Sequence, residues 1–195
     1  MAKLWTSDTP EDWQHALDAY EGVIDAQGVA RLAELDRWYR DELPAAIAGR
    51  SAAHVTHEEL VRTTEWKMAR GIWRGRNLAL VRGNPPEKVV RTSTGALAAI
   101  PDPKLPIARL AELDGVGPAT ASAIASAAAP EVYPFFDELV AAQVPGLGEV
   151  AFTPAFYAKY ADALRQRASR LGWTPVMVER ALWAHVGGKK GTRGR

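Results

Sequence analysis

An all-α fold is predicted by three observations. Apolar residues recur at spacings of three and four through most of the chain, the period of one buried stripe on a helix. No stretch alternates apolar and polar residues in the way a half-buried strand requires. Proline, threonine and glycine sit where these stripes begin and end, which is where helices are capped and stopped.

Trp13, Leu17, Tyr20 and Ile24 mark a first helix from about 10 to 25. Leu32, Leu35, Trp38 and Tyr39 mark a second between 29 and 43, and Pro44 is expected to end it. A third runs from 56 to about 70, where Thr56 followed three residues later by Glu59 has the form of a capping box. Gly71 allows either a kink or continuation through Trp73. Arg82-Gly-Asn-Pro-Pro86 is turn chemistry, and a short helix over 87–100 should stop before Pro101. A helical hairpin over 104–129 and two further helices, about 154–171 and 175–185, complete one domain over 1–186, single or two-lobed. The basic tail 187–195 is expected to be disordered.

At 195 residues with 47% hydrophobic residues the chain can bury a substantial core. Cysteine is absent, which excludes disulfides, thiolate nucleophiles and cysteine-held metals. No apolar run approaches the length of a membrane span or resembles a secretion signal, so the expected location is cytoplasmic and nucleoid-associated, without membrane contact. The net charge of +1 averages segments of opposite sign. Between 8 and 42, ten acidic residues face three arginines; between 61 and 91, eight basic residues face only Glu65 and Glu87. This polarity suits a protein that turns one face to phosphates, or simply a solvated helix face.

The most informative stretch is Leu110-Ala-Glu-Leu-Asp-Gly-Val-Gly-Pro-Ala-Thr-Ala-Ser-Ala-Ile124, which reads helix, tight loop, helix. Gly115 and Gly117 can take positive φ without a steric penalty, Pro118 is pre-set for the first position of the next helix, and Val116 can fill the gap between the two. The second helix is nearly all Ala and Ser to Pro130, so it can approach its neighbours closely and leave its first N–H groups open. Those groups, aided by the helix dipole, can hold one phosphate without reading a base. Gly115, Val116, Gly117, Ala119 and Thr120 are therefore candidate backbone-binding residues.

Leu113-x-Gly-Val-Gly-Pro-Ala-Thr-Ala121 followed by Pro134-Phe-Phe-Asp-Glu-Leu-Val140 resembles the helix-hairpin-helix DNA glycosylase superfamily. The resemblance implies a helix-hairpin-helix DNA-glycosylase-like helical domain that grips DNA with the hairpin and places a flipped nucleotide beside Asp137. With cysteine absent and no clear histidine site, no cofactor and no metal are expected. Members that also nick the strand carry a lysine where this chain has Ala119, so the resemblance points to hydrolysis of the N-glycosidic bond rather than to a lyase. A carboxylate at that place can stabilise positive charge on the sugar or orient the attacking water. Asp137 can equally be the N-cap of a helix beginning at Glu138.

Glu65-Trp66-Lys67-Met-Ala-Arg70-Gly-Ile-Trp73-Arg74-Gly-Arg76 is the second constellation. If one helix runs through it, Lys67, Arg70 and Arg74 share a face and Trp66, Ala69 and Trp73 share the next. Cations beside indoles can hold a nucleic-acid strand while a ring stacks on an extruded base; burial of the indoles is the alternative. This stretch, with Leu35-Asp-x-Trp-Tyr-x-x-Glu-Leu43 and Leu182-Trp183, is similar to a glycosylase-like branch sharing a Trp-Lys-x-x-Arg-Gly-x-x-Arg motif, over about Tyr20 to Val186. Glu65 and Lys67 enter as further candidate catalytic groups, and Arg76 as a further contact. The expected partner is DNA, with RNA as the alternative, and the expected state is a monomer; the rivals to an enzyme are a non-catalytic binding module and a helical scaffold. His54 and His57 lack a clear third ligand, so no metal is assigned to them.

Overall fold

A computed structural model describes residues 4–192, and among them every regular element is helical. A 3-10 turn at Leu4–Thr6 is followed by α1 (Pro10–Asp18), α2 (Tyr20–Ala26), α3 (Leu32–Arg37), a π-helical turn (Trp38–Glu42) and α4 (Leu43–Ala48). Then come α5 (His57–Arg70), α6 (Gly75–Arg82), α7 (Pro86–Leu97), α8 (Leu105–Leu110), α9 (Pro118–Ala128), α10 (Glu138–Ala141), α11 (Pro154–Leu171), α12 (Pro175–His185) and α13 (Gly188–Thr192). None of the described helices is long and apolar enough to cross a membrane.

Two helices organise the rest. Around α12 pack α1, α2, α10, α11 and α13, and around α5 pack α3, α6, α7 and α9. The groups share one contiguous core that draws on residues from Leu4 to Ala184. At their junction Arg70 of α5 pairs with Glu179 of α12, both buried. A second buried carboxylate, Asp36, accepts hydrogen bonds from Tyr20 Oη at 2.8 Å and Trp66 Nε1 at 3.0 Å and pairs with Arg40 at 2.9 Å. Buried charges with partners on three elements fix how those elements sit, because a misplaced partner would leave a charge unsatisfied.

Several expected boundaries shift for identifiable reasons. The first expected helix is two, meeting at Ala19, whose φ of −73° and ψ of −11° keep one buried face running through Trp13, Tyr20 and Ile24. Pro44 does not end the second. In the π-helical turn the Leu43 N–H donates to the Trp38 carbonyl five residues back, and Pro44 then falls in the first turn of α4, where its missing N–H is no loss. Thr56 and Glu59 do form a reciprocal capping box. Helix α5 stops at Arg70 because Gly71 takes φ −121° and ψ −113°, so Arg74 lies beyond the helix and the single cationic face expected over Lys67, Arg70 and Arg74 does not exist. The tail is also ordered as far as it is described. Lys190 donates its backbone N–H to Gln27 Oε1 at 2.8 Å and its ammonium to the Ala26 carbonyl at 2.9 Å, which holds α13 against α2; residues 193–195 lie outside the described range.

Candidate active site

The hairpin is wedged, not free-standing. Asn84, buried after α6, donates Nδ2–H to the Asp114 carbonyl at 2.9 Å and accepts from the Asp114 N–H at 3.0 Å, so one amide side chain clamps both polar groups of the residue before the turn. Gly115 then takes φ +76°, and a Cβ there would lie 2.5 Å from the Asn77 carbonyl oxygen and 2.9 Å from Val81 N. Only glycine lets the loop approach α6 this closely. Gly117 differs from expectation, since its φ of −100° and ψ of −179° are ordinary extended backbone and a Cβ there would meet nothing within 4 Å. It is the N-cap of α9 and has no side chain with which to cap it, so the N–H groups of Ala119 and Thr120 are not bonded by the first helical turn.

Helix α9 is buried along almost its whole length, and its small side chains let α4, α5 and α8 close around it. It also places the segment that follows. Ser122 Oγ accepts from the Phe136 N–H at 2.8 Å, while Tyr157 Oη and Tyr160 Oη donate to the Pro134 and Phe135 carbonyls at 3.0 and 2.7 Å. An extended backbone satisfied by three fixed side chains carries Asp137 to a set position. Its Oδ1 accepts from the Leu139 N–H at 2.8 Å, so Asp137 is indeed an N-cap.

It is more than a cap. Asp137 lines a cavity of about 300 Å³ together with Lys67 and Arg70 of α5, Arg74, Gly115 and Gly117–Thr120 of the hairpin, and the Phe135, Phe136 and Phe152 rings. That volume lies at the lower end of the ~300–1,000 Å³ typical of small-ligand sites. Asp137 retains only 9% exposure, and burial pushes its carboxyl above the usual aspartate range against the pull of the Arg70 guanidinium and the Leu139 N–H. Burial pushes the Glu179 carboxyl up to about 7, again opposed by Arg70. Burial and then Arg74 lower the Lys67 ammonium, while Asp137 and Glu138 raise it. Lys189, from the tail, reaches the same cavity and pairs with Glu138 at 3.4 Å.

Not every candidate gathers here. Trp66 is enclosed, 1% exposed, stacked on Tyr39 at 3.6 Å and in an edge contact with Phe135 at 4.9 Å, and it cannot stack on a base. Arg70 is also interior, its charge held by Glu179 and lying over the Trp183 ring at 4.5 Å, so it reaches the cavity from behind rather than contacting a strand. Glu65 is turned away and pairs with Arg82 at 2.7 Å in a surface groove that includes Glu34 and Arg62, which removes it from the catalytic candidates. Val116 is buried and plugs the turn without lining the cavity. Trp73, 58% exposed, and Arg76 lie outside the cavity wall, close in sequence to its Ile72 and Arg74. The features the sequence hid are Glu179, the Ser122–Tyr157–Tyr160 support and Phe152; of these only Phe152, an aromatic in a Gly/Pro-rich loop ahead of α11, carried a visible signal. No family model matches the chain, and no curated protein or solved structure matches it.

Proposed function

We propose that the chain is a nucleic-acid-binding hydrolase of the DNA glycosylase kind, which takes an extruded base into this cavity and cleaves its N-glycosidic bond with Asp137 as the catalytic carboxylate. The observation that carries the reading is the coincidence, in one cavity, of a desolvated carboxylate, an uncapped helix start and an aromatic wall. Each answers one need of the reaction. The open Ala119 and Thr120 N–H groups with Arg74 offer donors to a phosphate. Phe152, half exposed and backed by the buried Phe136 ring 5.2 Å away, offers a face for a flat ring. Asp137, low in solvation and oriented by its own cap, would stabilise the positive charge that develops on the sugar as the base departs, before water adds to the anomeric carbon.

The test is base release from a panel of duplexes carrying damaged or modified bases. Wild-type protein should free at least one base, and Asp137→Asn, which keeps a capping oxygen, should still bind the duplex but release none. Release undiminished in Asp137→Asn overturns the assignment. Binding without release from any duplex in wild type favours a recognition module of the same architecture.

A further inference from the structure

We propose that the glycine-rich end of the chain is part of the binding site: strapped onto α2, it brings Lys189 to Glu138 and cancels a carboxylate that would otherwise repel a phosphate entering beside Asp137. This rests on the nucleic-acid reading of the cavity and adds to it a working part outside the hairpin. Val186-Gly-Gly-Lys-Lys-Gly191 has the composition of a loose tail, yet it is closely folded. Gly188 takes φ +58°, where a Cβ would lie 2.6 Å from the Trp183 ring and 2.9 Å from Gln27 Nε2, and a Cβ on Gly191 would overlap the Val186 carbonyl. Gln27 grips both sides of the turn: its Nε2 donates to the Gly187 carbonyl at 3.1 Å and its Oε1 accepts from the Lys190 N–H at 2.8 Å. The Lys190 ammonium donates to the carbonyl of Ala26, the last residue of α2, where helical carbonyls lack partners. From 187 to 191 there are only glycines and lysines, so hydrophobic burial does not account for this docking. What the docking does place is Lys189, whose ammonium reaches the Glu138 carboxylate at 3.4 Å from 51 positions away.

Among the described residues that line the cavity two are acidic, Asp137 and Glu138, successive at the start of α10. Asp137 serves the reaction, whereas Glu138 is a second negative charge on the same wall. The cavity is on the order of 10 Å across, about one screening length in physiological salt, so Glu138 acts on a phosphate held at the start of α9. With Lys189 in place that charge is balanced, Arg70 is balanced by Glu179, and Lys67 and Arg74 set the sign of the wall. The Lys189–Glu138 pair is open, its side chains 25% and 43% exposed, and such pairs add little to folding. Its effect is therefore expected in binding and not in stability.

Affinity of the full chain for a labelled duplex carrying a tetrahydrofuran abasic analogue, measured at low salt, tests this independently of which base is recognised. Lys189→Gln should bind about fivefold more weakly and melt at the same temperature as wild type. Lys189→Arg, which keeps the charge, should bind like wild type. So should Lys189→Gln combined with Glu138→Gln, because the repulsion disappears with the carboxylate. Gln27→Ala, outside the cavity wall, loosens the strap and should lose affinity to the same extent, again recovered by Glu138→Gln. A Lys189→Gln protein that binds as tightly as wild type overturns the inference, and so does a double variant that stays weak, since Lys189 would then hold the phosphate itself. Either result, with base release from the lesion panel intact, leaves the hydrolase reading standing. The expected pattern of affinities without release of any base does the reverse, and a wild type that binds no duplex overturns both.

Discussion

The two hairpin glycines look equivalent in sequence and should behave oppositely when given a methyl group. At Gly115 an alanine must hold φ +76°, for which an L-residue pays about 1–2 kcal/mol in the left-handed region. Its Cβ would also press on backbone, 2.5 Å from the Asn77 oxygen and 2.9 Å from Val81 N, and neither atom is the end of a flexible side chain. Overpacking of this sort costs about 1–3 kcal/mol, for a total of about 2–5 kcal/mol. At Gly117 the φ of −100° suits any residue, and the methyl would meet nothing within 4 Å. The small loss of cap quality and the reduced freedom of the unfolded chain there roughly cancel, leaving a change within about 0.5 kcal/mol. The same methyl, however, would stand in the cavity mouth beside the open N–H groups. Urea denaturation and salt-dependent duplex binding, measured on both variants, separate the effects: Gly115→Ala should lose stability, and Gly117→Ala should keep stability and lose affinity. A Gly115→Ala protein as stable as wild type would refute the claim that the hairpin is wedged on α6.

Trp66→Ala should cost about 3–5 kcal/mol in denaturant, as removal of a fully buried aromatic does, while Trp73→Ala should leave the midpoint unchanged and reduce duplex affinity. Arg70→Met strands Glu179 in the interior and should cost about 3–5 kcal/mol, most of which returns in the double variant Arg70→Met with Glu179→Leu; a double variant no better than the single one contradicts the pairing. Asp137 and Glu179 both have carboxyls raised by burial, so the stability they contribute is full below the ordinary carboxylate range and is lost as pH climbs through their folded values, about 7 for Glu179. Stability measured against pH should therefore decline above the ordinary carboxylate range, less steeply in Asp137→Asn, and base release should rise with pH as Asp137 ionises.

What the sequence made legible was local. The capping box of Thr56 and Glu59 lies within four residues and needs nothing else to form, and the Gly115 turn announces itself because no other residue suits it. Arg70 was misplaced because its partner is 109 positions away; nothing near it in the chain says that a cation there is neutralised from α12. Trp66 failed as a ligand contact for a related reason. Helix α5 is buried on most of its circumference although it is rich in polar residues, so periodicity finds no stripe that would mark the indole as interior. Lys67 and Arg74 do meet, but through a glycine break and a change of direction rather than through the shared helix face that their spacing suggested.

Asp137 serves both readings that the sequence left open, and their relative weight can be measured. A cap on a helix as short as α10 is worth about 1 kcal/mol, and serine supplies it as well as aspartate does. Holding a carboxylate at 9% exposure costs several kcal/mol before Arg70 offsets part of it. If capping were the whole purpose, an aspartate would be the more expensive choice. Asp137→Ser keeps an oxygen able to accept from the Leu139 N–H and removes the buried charge, so it should be as stable as wild type or more so, by up to about 1–2 kcal/mol, while releasing no base. A serine variant that loses more than about 1 kcal/mol would show that the carboxylate is there to hold the fold, since function-bearing charges in a cavity stabilise a reaction and not the resting protein.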